Sequence, residues 1–254
     1  MKQDERDAFD RALRRAREAA YDAGEYVEQE SFMRAREVRT LAERAGIAPG
    51  VSVLDLCCGV AGPGRFVTSE FRCDYVGVDS SSSAVGIARE RARDLPCRFE
   101  VAHVPPLPPG TFDVVLLLET MLAFPDKDSL VDGVARALPV GGRFAFTLEE
   151  GVPLTEAERA RMPDADTVWL TPLDDLQGLL ARNGLRVRWQ ADWSQAHHAV
   201  AESLIDSFNA DATDIASGIG RRALDELLAA HRLWSEWLAT GRVHKIAFVA
   251  ERRA

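Results

Sequence analysis

Apolar and polar positions along this chain alternate with two different periods, and the change from one to the other is sharpest near residue 60. The stretch VSVLDLCCGVAGPGRFV, residues 51–67, opens on alternating β-branched and aliphatic residues that suit a buried strand. Asp55 lies near the end of that strand. A turn carrying Gly59, Gly62 and Gly64 follows, and Arg65, Phe66 and Val67 resume an apolar pattern of the kind that enters a helix.

The same alternation continues downstream. Residues 75–78 read as a second strand closed by Asp79, and a helix is expected from about 83 to 94. CRFEVAHV (97–104) is a third short strand. PPLPPGTFD then forms a rigid loop, since four prolines in five positions forbid helix and limit ladder pairing. Residues 113–118 make a fourth buried strand ending at Glu119, 127–138 a helix, Gly141 and Gly142 a turn, and 143–148 a fifth strand. Such βα alternation predicts a parallel, doubly wound α/β sheet.

The flanks are less regular. Residues 4–23 predict an amphipathic helix with Phe9, Leu13, Ala16 and Ala20 on one stripe, interrupted by Gly24. A second helix is expected over 31–45, stopped by Gly46. Beyond Glu150 comes a polar, partly helical link. Thr171 and Pro172 then cap a helix running to about Asn183, and LRVRWQADW alternates as a sixth strand. Residues 194–240 read as largely helical, in two pieces (199–208 and 220–238) joined by the glycine-bearing DIASGIG. VHKIAFVAE is the last strand.

Composition narrows the classes. A chain of 254 residues, 46% hydrophobic, is long enough to bury a substantial core as a single domain. A net charge of −9 argues against a nucleic-acid substrate gripped through its phosphates. No apolar run approaches the roughly 20 residues a bilayer requires, and MKQDERDAF lacks a signal peptide's apolar core, so a cytoplasmic protein without membrane contact is expected. Cys57, Cys58, Cys73 and Cys97 show no zinc-like spacing, and neighbours such as Cys57 and Cys58 rarely close a disulfide. They read as reduced packing residues, with no metal site. The oligomeric state is left open, a homodimer included.

Strand, glycine turn and helix together let a backbone approach a ligand at a helix N-terminus. Asp79, 24 residues beyond Asp55, is placed to accept hydrogen bonds from ribose hydroxyls; the alternative is a strand-end Asp capping the next helix. Taken together, LDLCCGVAGPGR, GVDSS and ALPVGGRFAFT resemble the first motif, the second motif and the segment entering the fifth strand of the class I S-adenosylmethionine-dependent methyltransferases, a resemblance spanning residues 46–147.

That resemblance implies a Rossmann-like, mostly parallel seven-stranded sheet and S-adenosylmethionine as cofactor. The chain then divides into N-terminal helices acting as a lid (1–46), a cofactor-binding core (47–193), a helical substrate cap (194–241) and the terminal strand (242–254). Cys57 and Gly59 would face the amino-acid part of the cofactor, Cys57 standing where the family usually has glycine, as does the position near Ala61. Asp79 and Ser80 would hold the ribose. His103 stands where the family commonly has an adenine-binding Asp, so backbone at Ala102 or Val104 shares that role. Tyr21 and Tyr26 are candidates to fold over the cofactor, or else to pack the N-terminal helices together.

Methyl transfer asks the protein mainly to hold donor and acceptor in line, and sometimes to remove a proton. Glu119, at the switch point between strands one and four, is the candidate base, substrate anchor or counter-charge to a sulfonium, with a structural turn cap as the alternative. His197 and His198 are further candidate bases on the cap, expected to meet Glu119 across the pocket. His231 reads as core. Trp189, Trp193, Trp234 and Trp237 suit either a planar substrate or a core. LETM after strand four replaces the Asn-Pro-Pro-aromatic signature of many N-methylating relatives. The reading is therefore methylation of oxygen or carbon on a small organic molecule in biosynthesis. Competing readings are a dinucleotide oxidoreductase, or the same fold serving a cyclase, a decarboxylase or a cofactor-binding protein without transfer.

Overall fold

The computed structural model describes residues 13–163 and 165–254; the first nine residues of the helix expected over 4–23, Phe9 among them, lie outside these. Residues 13–19 are helical and are called α1 here. The remaining order is α2 (Ala35–Arg44), β1 (Ser52–Leu56), α3 (Gly62–Phe71), β2 (Asp74–Asp79), α4 (Ser82–Arg91), β3 (Cys97–Val101), β4 (Val114–Leu117), α5 (Lys127–Ala137), β5 (Arg143–Glu150), α6 (Glu156–Arg161), α7 (Leu173–Arg182), β6 (Leu185–Asp192), α8 (Ser194–Ala210), α9 (Ala212–Ile219), α10 (Arg221–Thr240) and β7 (His244–Arg252).

The strands form one seven-stranded sheet in the order β3-β2-β1-β4-β5-β7-β6. All pairs are parallel as far as β5, while β7 runs antiparallel to both β5 and β6. Alternate residues of each strand enter opposite cores. Leu54, Val76, Val115 and Phe144 pack beneath α5 and α7; Val53, Tyr75, Val114 and Ala145 pack beneath α2, α3 and α4. Both faces are covered, which is why the central strands read as nearly unbroken apolar runs. Two smaller apolar clusters join α8, α9 and α10 to the N-terminal segment and to the link after β5.

Three expectations are corrected. The second helix begins at Ala35, not at residue 31. Side chains take the backbone groups that a helix would use: Gln29 Nε2 donates to the carbonyls of Glu25 (3.2 Å) and Met33 (2.5 Å), and Tyr21 donates to Ser31 O. Arg34 then starts the helix, with Glu37 accepting its N–H at 2.9 Å. Gly62 and Gly64 belong to α3 and not to the turn, with Pro63 in the first helical turn. DIASGIG is mostly helix α9, and α8 starts at Ser194, so the cap holds three helices and not two.

Candidate active site

The carboxyl ends of β1 and β4 flank the point where connections depart to opposite sides of the sheet, and a cavity of about 420 Å³ opens there. Its floor is made by the turn after β1, by Glu119 after β4, and by Glu149 and Lys245 from β5 and β7. Phe32 in the segment before α2, with His231 and Trp234 of α10, closes it from above.

The turn after β1 holds two unusual backbone positions. Cys57 and Ala61 have φ of 59° and 61°, the left-handed region that glycine normally fills. Asp79 fixes the turn between them: its carboxylate accepts the N–H of Gly59 at 2.9 Å and that of Ser81 at 2.8 Å. Asp79 is thus not the cap of α4, since Ser81 takes that role by accepting from Ala84. A carboxylate has about four acceptor sites, so two remain on Asp79 for a ligand. The segment before α2 lies directly on the start of α3, because a Cβ at Gly62 would come within 2.3 Å of Val27 O and 2.5 Å of Glu28 O.

Burial keeps the thiols of the turn protonated. The Cys57 thiol is pushed up to about 12 by desolvation, with Asp79 and Asp55 adding to it. All four cysteines are free. Asp55, fully within β1, is raised to about 7 by burial; the Tyr75 hydroxyl, donating at 2.5 Å, pulls it back and Asp79 adds to the rise.

Glu119 also has a left-handed backbone, at φ 60°, and its N–H donates to the buried Thr147 hydroxyl at 2.7 Å. Its side chain joins a chain of buried charges. Lys245 Nζ lies 2.6 Å from Glu119 Oε1 as a charge contact and donates a hydrogen bond to Glu149, its direct partner in the β5–β7 register. Burial alone would lower the Lys245 pKa, but Glu119 and Glu149 more than offset it and hold the ammonium above its ordinary value. On the other side, His197 of α8 is fully buried, with Nδ1 3.8 Å from Glu119 and Nε2 3.3 Å from Glu37 of α2. Neither ring nitrogen makes an aligned hydrogen bond. Burial opposes ionisation of Glu37, yet the nearby His197 ring and the hydrogen bonds from Arg34 hold it below the usual carboxylate range.

The remaining sequence candidates distribute as follows. His197 meets Glu119, whereas His198 points to α10, where it pairs with the Ser235 hydroxyl at 3.0 Å. Tyr21 and Tyr26 stack at 5.5 Å and pack against the helices of the cap without lining the cavity. Ser80 and His103 are exposed, and Ala102 donates its N–H to Asp79 O at 2.9 Å; together with Val104 they follow the ends of β2 and β3, and none of the four lines the cavity. His231, expected in the core, instead faces the cavity against Phe32, its ring centroid 5.5 Å away. Burial lowers its pKa and Nδ1 bonds Leu227 O at 2.8 Å. Of the four tryptophans considered, Trp234 lines the cavity and Trp237 is core. Glu37, Glu149 and Lys245 were not read from the sequence. The one available signal was a lysine interrupting the apolar run VHKIAFVAE.

Among the described residues no helix is long and apolar enough to cross a membrane, and no group of three His, Cys, Asp or Glu is arranged to hold a metal ion.

Comparison with known proteins agrees with this geometry. Residues 53–142 match the family described as Methyltransferase domain. Phosphoethanolamine N-methyltransferase 3 of Arabidopsis thaliana is 35% identical over 105 residues, covering 40% of this chain and 21% of that protein. Sterol 24-C-methyltransferase of Eremothecium gossypii is 30% identical over 155 residues, 57% of this chain and 42% of that one. The chain thus spans less than half the length of these curated relatives. A putative sarcosine dimethylglycine methyltransferase structure from Galdieria sulphuraria shares the fold across 96% of this chain and 98% of that one, with a TM-score of 0.80 at 16% identity.

Proposed function

We infer that this chain, whose residues 53–142 are a class I methyltransferase domain, transfers the methyl group of S-adenosylmethionine to an oxygen or carbon atom of a small organic acceptor. The observation that carries the reading is the glycine turn after β1, held by Asp79 in left-handed conformations at Cys57 and Ala61 and opening onto Glu119.

The donor set fits the cofactor. Glu28, Glu30, Glu119 and Glu149 line the cavity, against Lys245 as its one fully cationic side chain among the described residues, so a positively charged sulfur is favoured there. When bound, the cofactor supplies a methyl group on a sulfonium, already activated for in-line displacement. The protein's part is then positional. Cys57 and Gly59 present backbone to the amino-acid portion, Asp79 offers its free lone pairs to the ribose hydroxyls with Ser80 beside it, and Ala102, His103 and Val104 border the adenine. Tyr21 and Tyr26 act one layer out, bracing the segment that covers the turn. Glu119 and His197 face the acceptor region as candidate proton acceptors, with His198 positioned behind them through Ser235. The cap from Ser194 onward would select the acceptor, consistent with an enzyme of small-molecule biosynthesis.

The test is calorimetric. S-adenosylhomocysteine should bind the wild-type protein, and Asp79→Ala should weaken it by about 1–3 kcal/mol, the scale of a lost hydrogen bond to a charged group. Unchanged affinity in a folded Asp79→Ala protein would remove Asp79 from the site. Absence of any binding to wild type would sink the reading.

A further inference from the structure

Glu149 enters the reading above only as one of the cavity's acidic side chains, and one of its two oxygens has no hydrogen-bond partner. Glu149 is only 8% exposed, and its Oε2 is buried without a hydrogen bond. A buried carboxylate oxygen left unpaired is costly, so it marks a place where a ligand completes the structure. Its other oxygen pairs with Lys245 Nζ, which also holds Glu119. The Lys245 ammonium carries three protons, of which Glu149 Oε1 takes one along an aligned hydrogen bond, so the group keeps donor capacity beside the two carboxylates. The pair therefore offers one acceptor and one donor side by side on the cavity floor.

The opposite wall is apolar and aromatic: Phe32, Trp234, Leu238 and Leu122, with a His231 ring kept neutral by burial. Among the described residues no arginine lines the cavity, and the acidic side chains there outnumber Lys245. Different acceptor chemistries meet this arrangement differently. A hydroxyl can donate to Glu149 Oε2 and accept from Lys245 at once. An ammonium group can only donate, and would face Lys245 as a like charge. A phosphate or carboxylate brings negative charge to an acidic site and finds no fork of arginine donors among the described residues.

We propose that the Glu149–Lys245 pair is the anchor for a hydroxyl group on the acceptor, and that the acceptor is an uncharged, hydroxylated, ring-sized apolar molecule. The assignment rests on the methyltransferase reading only in calling the ligand an acceptor. It also separates this chain from any enzyme that holds its substrate by a phosphate.

The test measures binding and not turnover. With S-adenosylhomocysteine present, 2-naphthol, its methyl ether 2-methoxynaphthalene, 2-naphthylmethylamine (an ammonium ion at neutral pH) and 1-naphthyl phosphate are titrated by calorimetry. Wild-type protein should bind 2-naphthol about tenfold or more tightly than the ether, in keeping with a hydrogen bond to a charged group. The amine should bind less well than the naphthol, and the phosphate weakest. In Glu149→Gln the amide can no longer accept at both positions, so the naphthol should lose its advantage while ether affinity stays within about twofold, which also reports an intact cavity. Equal binding of naphthol and ether to wild type, an unchanged preference in Glu149→Gln, tighter binding of the phosphate, or binding of none of the four would each overturn the assignment. Separate titration of S-adenosylhomocysteine keeps the two readings distinct: its failure to bind would sink the methyltransferase reading and leave the naphthol–ether comparison, repeated without it, standing.

Discussion

Cys57, Ala61 and Glu119 each hold a backbone conformation that costs a non-glycine residue on the order of 1 kcal/mol or more, and all three border the cavity. Such strain persists only where neighbours over-determine it. Here Asp79 pins the turn through Gly59, and Thr147 pins Glu119 through its N–H. The gain at Glu119 is direction: the left-handed turn sends its carboxylate inward between Lys245 and His197. Neither ring nitrogen of His197 is committed to an aligned hydrogen bond, so the ring has spare capacity to exchange a proton with an acceptor through Glu119. Glu119→Gln and His197→Ala should therefore lower single-turnover methyl transfer by about 10²-fold or more, the usual scale for a general base, while changing cofactor affinity far less. His198→Ala, which removes a Ser235 contact behind the site, should have the smaller effect. Single-turnover rates across pH decide it. Three wild-type rates with wild-type pH profiles would mean that catalysis here is positional only.

At the scale of elements, β1 carries a conflict that its neighbours absorb. Asp55 sits in a fully buried strand, paired on both sides by β2 and β4, and burial raises its pKa to about 7. The α3 helix is drawn close over this pair, since a Cβ at Gly64 would fall 2.0 Å from the Tyr75 hydroxyl that bonds Asp55. A carboxyl with an unfolded pKa of about 4 and a folded one near 7 keeps its proton in the folded state across that window. Its contribution to stability is complete below about pH 4 and is lost as pH rises towards 7. Asp55→Asn should thus match wild type near pH 4 and exceed it by about 4 kcal/mol at pH 8. Urea denaturation of both proteins across that range checks it, and a pH-independent difference would show that Asp55 does not titrate there. Asp55 and its strand were plain in the sequence, because a parallel strand covered on both faces prints its burial as β-branched runs. The strands and most helices were legible for that reason. The 29–33 segment was not, since Gln29 and Tyr21 satisfy its backbone through contacts that periodicity does not encode. Glu149 and Lys245 were hidden for a related reason: each sits beside another polar residue at the end of an apolar run, Glu150 and His244 respectively, and only the antiparallel register of β5 with β7 makes them a pair. Glu119 could be placed from the switch-point rule, and the turn from its glycines. Cys57 was legible as a departure whose cost, the φ of 59°, only the fold displays.

The whole molecule is a sheet with a long excursion inserted into its last hairpin. Asp192 pairs with Ile246 across β6 and β7, and Trp193 N–H donates to Lys245 O at 2.8 Å, so the chain leaves the sheet at 193 and re-enters it beside the same point. Everything between, α8, α9 and α10, occupies what could be a short turn. This arrangement separates two tasks. The sheet and its two cores are completed by β7 without the excursion, whereas the excursion supplies the His197 end of the charge chain and the His231 and Trp234 wall of the cavity. Replacing residues 194–241 by a short glycine-rich turn should then leave the sheet formed, because the strand ends already lie side by side and closing a short loop costs little. The shortened protein should be destabilised all the same. Ala16 and Tyr21 would lose the apolar partners they share with Val200, Leu204 and Phe208, and Glu37 would lose its contact with His197. Circular dichroism should show a sheet signal with less helix, and dye binding should report newly exposed apolar surface. S-adenosylhomocysteine affinity should survive in part, since Asp79 and the glycine turn remain, but selective turnover should vanish with the cavity wall. A soluble shortened protein that still methylated one acceptor in preference to others would show that selection is built into the sheet and not into the excursion above it.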